Sequence, residues 1–128
     1  MTTMLLKPAV PILFVRNVTE SAAFYSSKLG FVIDFLYGET PFYGSVSRDG
    51  ACLHLREVRE PNFSEIAARE PSLILATIEA SDVRELYEEF NRQGVEMPQE
   101  PTEQTWGGTD FHVRDPDGNV ISFVTFGA

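Results

Sequence analysis

The sequence predicts an α+β protein: two βαβββ modules forming curved mixed sheets, each with one concave face that together shape a cup. Three observations carry this. Two amphipathic helical stripes each follow a short apolar strand and end at a glycine. Short β-rich runs separated by Gly and Pro turns follow each helix. The second half repeats the first at an offset of about 65 residues, as Val18 against Val83 shows.

Pro8 to Val15 reads as a strand, with Val10, Ile12, Leu13, Phe14 and Val15 almost continuously apolar. Asn17 or Thr19 caps a helix whose stripe is Val18, Ala22, Tyr25 and Leu29, and Gly30 closes it. Phe31 to Tyr37, Phe42 to Ser47 and Ala51 to Val58 follow as strands, joined by turns at Gly38–Pro41 and Arg48–Gly50. The first module is therefore expected over about residues 8–58. A linker over residues 59–71 contains a short helix capped by Asn62 and carrying Phe63, Ile66 and Ala67.

The second module is expected over about residues 72–128, within a single domain spanning the chain. Ser72 to Ile78 is its first strand. Ser81 or Asp82 caps its helix, Asp82 and Glu85 having capping-box spacing, and the stripe is Val83, Leu86, Tyr87 and Phe90 up to Gly94. Pro98 and Pro101 confine Val95 to Pro101 to an edge or loop. The chain then closes on a hairpin, in which Phe111 and Val113 alternate with His112 and Arg114. Its turn is Asp115-Pro116-Asp117-Gly118-Asn119, and Val120 to Val124 returns. Asp49-Gly50 before Leu53-His54-Leu55 answers Asp117-Gly118 before Ile121-Ser122-Phe123, so His54 and Ser122 fall on equivalent positions.

A chain of 128 residues with 43% apolar content suits one soluble domain with a real core. One cysteine, Cys52, excludes an intramolecular disulfide and fits a reducing compartment. Met1 to Lys7 is too short for a signal peptide and no apolar run approaches membrane-spanning length, so the expected location is cytoplasmic, with no membrane partner. A formal net charge of −9 argues against nucleic acid and favours, if any charged ligand, a cationic one.

Strand parity assigns the faces. Leu53, Leu55, Ile121 and Phe123 face the helices, so Cys52, His54 and Arg56 in one half, and Val120, Ser122, Val124, His112 and Arg114 in the other, face the cup. A ligand belongs there.

Leu13-Phe14-Val15-Arg16-Asn17-Val18, Phe24-Tyr25 with Leu29-Gly30-Phe31, and above all Asp115-Pro116-Asp117-Gly118-Asn119 resemble the glyoxalase / bleomycin-resistance / extradiol dioxygenase superfamily, the vicinal oxygen chelate proteins. Trp106-Gly107-Gly108 is especially similar to its bleomycin-resistance branch. The resemblance implies paired βαβββ modules, a homodimer, and cups completed between modules. Enzymes of the superfamily hold a divalent metal at four places, which here carry Val10 (or Pro11), His54, Ile74 (or Leu75) and Ser122. One imidazole cannot replace the three or four donors such ions need, and His54 with His112 would still leave the set short, so no metal and no cofactor is expected.

The bleomycin-resistance branch sequesters its ligand without metal, stacking aromatic side chains on a planar bithiazole and meeting a cationic tail with acidic surface. This chain has fifteen aromatic residues, and Phe35, Tyr37, Phe42, Tyr43 and Trp106 are the candidates for stacking. Sheet packing is the competing role for Phe35 and Tyr37. His54 reads first as a hydrogen-bonded wall residue and second as a catalytic base; Arg56 either meets an anionic group or pairs with Glu57 or Glu39. His112 and Ser122 complete the candidate binding set. The expected function is therefore metal-free binding of an aromatic or cationic, antibiotic-like small molecule in cups at a dimer interface. The alternative is a lyase, isomerase or transferase of the same superfamily with an unusual or absent metal site.

Overall fold

The structure, a computed structural model, describes residues 3–60, 66, 69–70 and 73–127. The strands β1 (Ile12–Val15), β2 (Val32–Tyr37), β3 (Tyr43–Arg48) and β4 (Ala51–Glu57) accompany helix α1 (Val18–Leu29). In the second half β5 (Ile74–Glu79), β6 (Thr102–Glu103), β7 (Gly108–Arg114) and β8 (Val120–Phe126) accompany helix α2 (Val83–Arg92). Each half makes one four-stranded mixed sheet, in the orders β1-β4-β3-β2 and β5-β8-β7-β6, with the first strand parallel to the last and the rest antiparallel. The βαβββ unit is thus repeated, and neither sheet closes into a barrel. The helix expected from Asn62 to Ala67 lies, apart from Ile66, outside the described residues.

Local chemistry sets the helix ends. Asn17, not Thr19, caps α1, its side-chain oxygen accepting the Glu20 N–H at 2.9 Å, and Gly30 ends it at φ 74°. Asp82, not Ser81, caps α2 by accepting from the Arg84 and Glu85 N–H groups at 3.1 and 3.2 Å. Two strands are shorter than expected. Residues 3–10 are exposed and β1 begins only at Ile12, because Pro8 and Pro11 bring no N–H to a ladder; the Pro11 carbonyl accepts from the His54 N–H at 2.9 Å, just before the strand. Of the stretch around Pro98 and Pro101, only Thr102 and Glu103 pair with β7, opposite Asp110 and Thr109.

Val18, Ala22, Tyr25 and Leu29 are all buried, as their spacing predicts, against Leu13, Val15, Val46, Leu53 and Leu55. In the second half Phe90 meets Phe111 and Phe123 at ring-centroid distances of 5.9 and 5.3 Å, while Tyr87 covers Phe111 edge-on at 5.6 Å. Both helices and the helix-side faces of both sheets belong to one apolar cluster. Burial of each large side chain in it contributes about 1.5–3 kcal/mol.

Polar ties join the halves across this core. Asp115 is 4% exposed, and its carboxylate accepts from four donors: the Asp117 N–H (2.9 Å), the Asn119 N–H (2.8 Å), Asn119 Nδ2 (2.9 Å) and, from α1, the Tyr25 hydroxyl (2.9 Å). Asn119 Nδ2 also donates to the Phe14 carbonyl on β1 at 3.0 Å. Burial raises the Asp115 carboxyl from its ordinary value against the opposing pull of its hydrogen bonds. Burial first, and the Asp115 charge second, push the Tyr25 hydroxyl well above the ordinary tyrosine value, so it stays a donor. At the other end of the interface Arg48 donates to both Glu89 carboxylate oxygens, at 2.7 and 3.0 Å, and to the Leu29 carbonyl at 2.9 Å.

Two consequences are measurable. Tyr25→Phe removes one donor from a buried carboxylate and should cost about 1–3 kcal/mol in urea unfolding. The Arg48 hydrogen bonds hold the Glu89 carboxyl below its ordinary 4.5, so the pair's stabilisation is complete above that value and is lost as pH falls through the lowered one. Because both side chains are about one-third exposed, Arg48→Met should cost only about 0.5–1 kcal/mol at pH 7, a difference that narrows in salt and below pH 4.5.

Candidate ligand-binding faces

Register defines the helix-free face of the first sheet. Tyr43, Ser45 and Ser47 on β3 stand opposite Arg56, His54 and Cys52 on β4, while Tyr37 and Phe35 on β2 stand opposite Tyr43 and Ser45. Ile12 and Phe14 of β1 complete this face beside His54 and Arg56. The pairing slips between Ile33 and Phe35, and this bulge turns Asp34 onto the same side as Phe35. Ser45 and Ser47 donate to the two Asp34 carboxylate oxygens at 2.9 and 2.7 Å.

The candidate residues of this half come together. Phe35 is 46% exposed, Tyr37 65% and Phe42 48%, with Tyr37 and Phe42 in edge contact at 5.5 Å at the mouth of the hairpin. The Tyr43 hydroxyl lies 2.8 Å from His54 Nδ1, and the His54 ring is flanked edge-on by Tyr43 at 5.4 Å and Phe35 at 6.1 Å. Arg56 is exposed and makes no ion pair among the described residues, neither with Glu57 nor with Glu39. Cys52 is a half-buried free thiol, 3.4 Å from the Ser45 hydroxyl.

The second face is built likewise from Asp110, His112 and Arg114 on β7, opposite Val124, Ser122 and Val120 on β8, with Thr77 and Glu79 of β5 beyond. Trp106, in the loop before β7, is 57% exposed and tilts against Phe126 at 5.8 Å. Gly107 adopts φ 99°, and a Cβ on Gly108 would fall inside the Trp106 ring, so the two glycines let the indole lie down on the strand. His112 Nε2 is buried, lacks a hydrogen-bond partner among the described residues, and sits 3.5 Å from the Asp110 carboxylate, which takes Gln104 Nε2 at 2.9 Å. Ser122 and Val124 differ from the open wall that parity suggests: they are 3% and 1% exposed in the single chain.

Three contributors escape a sequence reading centred on aromatics and imidazoles. Asp110 and Phe126 share the strand parity of His112 and Ser122, which was signal enough. Asp34 had none, because strict alternation puts it opposite Phe35 and only the bulge reverses this.

The four superfamily metal positions, Val10, His54, Ile74 and Ser122, do not fit a metal: one imidazole is available, and its Nδ1 is engaged by Tyr43. Among the described residues no group of three or more His, Cys, Asp or Glu side chains is disposed to hold one. No helix among them is long and apolar enough to cross a membrane. A cleft of about 670 Å³ opens at the junction of the halves between Asp49-Gly50 and the β5–α2 segment; Cys52 of the first face and Thr77 and Glu79 of the second border it, but none of the candidate aromatic residues does. The exposed aromatic residues of both faces lie outside this inter-module gap.

Known proteins share this architecture and part of the sequence. A bleomycin resistance protein from Geobacillus stearothermophilus is 31% identical over 126 residues, covering 90% of this chain and 93% of its own. The bleomycin-binding protein of bleomycin-producing Streptomyces verticillus, solved in complex with copper(II)-bleomycin, is 29% identical with a TM-score of 0.75, over 98% of this chain and 100% of its own. A glyoxalase-related enzyme from Clostridium phytofermentans, at 14% identity, has the same fold with a TM-score of 0.77, over 96% of this chain and 97% of its own. The sequence model of the Glyoxalase/Bleomycin resistance protein/Dioxygenase superfamily matches residues 6–123. With the repeated βαβββ unit and these two faces, the chain belongs to that superfamily.

Proposed function

We propose that this protein binds and sequesters bleomycin or a glycopeptide of similar chemistry, without metal of its own and without catalysis. The observation that carries the reading is the exposure of large aromatic side chains, Phe35 and Tyr37 on one helix-free face with Phe42 at the mouth of its hairpin, and Trp106 and Phe126 on the other. Soluble proteins leave such apolar patches open chiefly where something binds. The likeness to bleomycin resistance and bleomycin-binding proteins at 31% and 29% identity supports the same ligand class.

The direction of the faces supports dimerisation. Both sheets turn their helix sides into one core, and none of Phe35, Tyr37, Tyr43 or His54 makes a ring contact or hydrogen bond with the second sheet. A cup using both faces therefore takes the first sheet of one chain and the second sheet of another. Planar ligand rings stack between Phe35 and Trp106 of different protomers, and Tyr43, His54, Arg56 and His112 supply polar anchors, whereas Ser122 is closed over. The net charge of −9 draws in a cationic ligand, so association slows with salt.

Trp106 is the only tryptophan and reports on the site directly. Titration with metal-free bleomycin should quench its fluorescence saturably at one ligand per chain, and Phe35→Ala should weaken binding about tenfold or more. No change up to high micromolar ligand would overturn the reading. Gly108→Ala should leave the circular dichroism unchanged, displace the indole, shift its emission and lower ligand affinity.

A further inference from the structure

One polar pair on the first face has a directional consequence. Tyr43 and His54 lie on adjacent strands, 2.8 Å apart from hydroxyl to Nδ1. A phenol hydroxyl is a far better donor than acceptor, and a neutral imidazole offers one bare nitrogen as acceptor and one N–H as donor. Donation by Tyr43 to Nδ1 is thus the favoured direction of the contact, and it leaves the imidazole proton on Nε2. Among the described residues Nε2 has no hydrogen-bond partner, and it is not among the fully buried unpartnered atoms, so it keeps some exposure. Phe35 stands beside the ring at 6.1 Å, 46% exposed, as the surface on which a flat group would lie.

We propose that His54, held in one tautomer by Tyr43, is the hydrogen-bond donor that selects the ligand. Its Nε2–H takes a ring nitrogen or carbonyl oxygen on the edge of a planar heteroaromatic group resting against Phe35. The assignment rests on the binding reading above and adds a required ligand feature, an acceptor edge on the stacked ring. A carbocycle of the same shape would desolvate the N–H without replacing its water, and that penalty is the source of discrimination. Tyr43 is a positioning residue: it fixes which nitrogen carries the proton.

Nitrogen-15 NMR of the labelled protein at pH 8 reads the tautomer directly. His54 should show a protonated Nε2 and a bare Nδ1, and Tyr43→Phe should release a mixture of the two forms. Quinoline should bind the wild type about tenfold better than naphthalene and shift the Nε2 resonance. The preference should vanish in His54→Phe, survive in part in His54→Gln, whose amide retains a donor, and fall in Tyr43→Phe. Affinity for metal-free bleomycin should drop about tenfold in His54→Phe. A proton on Nδ1, no quinoline binding by the wild type, or an equal quinoline preference in His54→Phe overturns the assignment. Quinoline selection without bleomycin binding sinks the sequestration reading and leaves the donor standing. Equal bleomycin binding by wild type and His54→Phe sinks the donor and leaves sequestration standing.

Discussion

The buried carboxylate of Asp115 is the constraint on which the rest of the structure depends. Four donors converge on it from the β7–β8 turn and from α1, and Asn119 extends the same network to the β1 backbone. A carboxylate this deeply buried is tolerated only because its acceptor sites are filled, and each donor is in turn held in place by it. The turn's wording follows. Asp117 and Asn119 bring the backbone N–H groups, Gly118 takes φ 85°, and the Asn119 amide reaches both Asp115 and the Phe14 carbonyl. One five-residue turn thereby orients two sheets and a helix.

The network is specified once in a repeated architecture. Phe90 takes the place in α2 that Tyr25 takes in α1, with the same burial and no hydroxyl. Its ring packs on Phe111 and Phe123, so apolar contact stands in α2 where the hydroxyl of Tyr25 ties α1 to Asp115. Arg48, reaching from the end of β3 to Glu89, supplies the tie on the other side. With most of the core and these ties on the helix side, Phe35, Tyr37 and Trp106 on the opposite faces are left out of the core. The aromatic side chains there remain exposed without loss of the fold.

Much of this was legible in the sequence because it rests on period and on turn chemistry. The stripe Val18, Ala22, Tyr25, Leu29 could bury only as a helix, Gly30 could only end it, and the alternation of Phe111 and Val113 with His112 and Arg114 fixed the face of the last hairpin. The failures have a common physical origin in long-range pairing. Pro8 to Pro11 look like strand by apolarity, but a strand also needs backbone donors on the correct side. Asp34 changes face through a register slip that depends on Ser45 and Ser47, eleven and thirteen residues away. Ser122 and Val124 are closed over by neighbours that no local pattern reveals. The Tyr43–His54 contact likewise depends on which strands adjoin, and joins two separate candidates in one hydrogen-bonded pair.

The bulge at Asp34 also bears on how such a chain avoids pairing with copies of itself. β2 is an outer strand of its sheet and carries Val32, Ile33, Phe35 and Tyr37, all exposed. A flat outer strand of that composition would invite another chain to extend the sheet and begin aggregation. The register slip breaks the strand's straight run of unpaired backbone groups, and a carboxylate held by two serines stands in the middle of it. At the outer edge of the second sheet, β6 is only two residues long. The irregular edges thus let the protein expose aromatic rings while denying a template to its own kind.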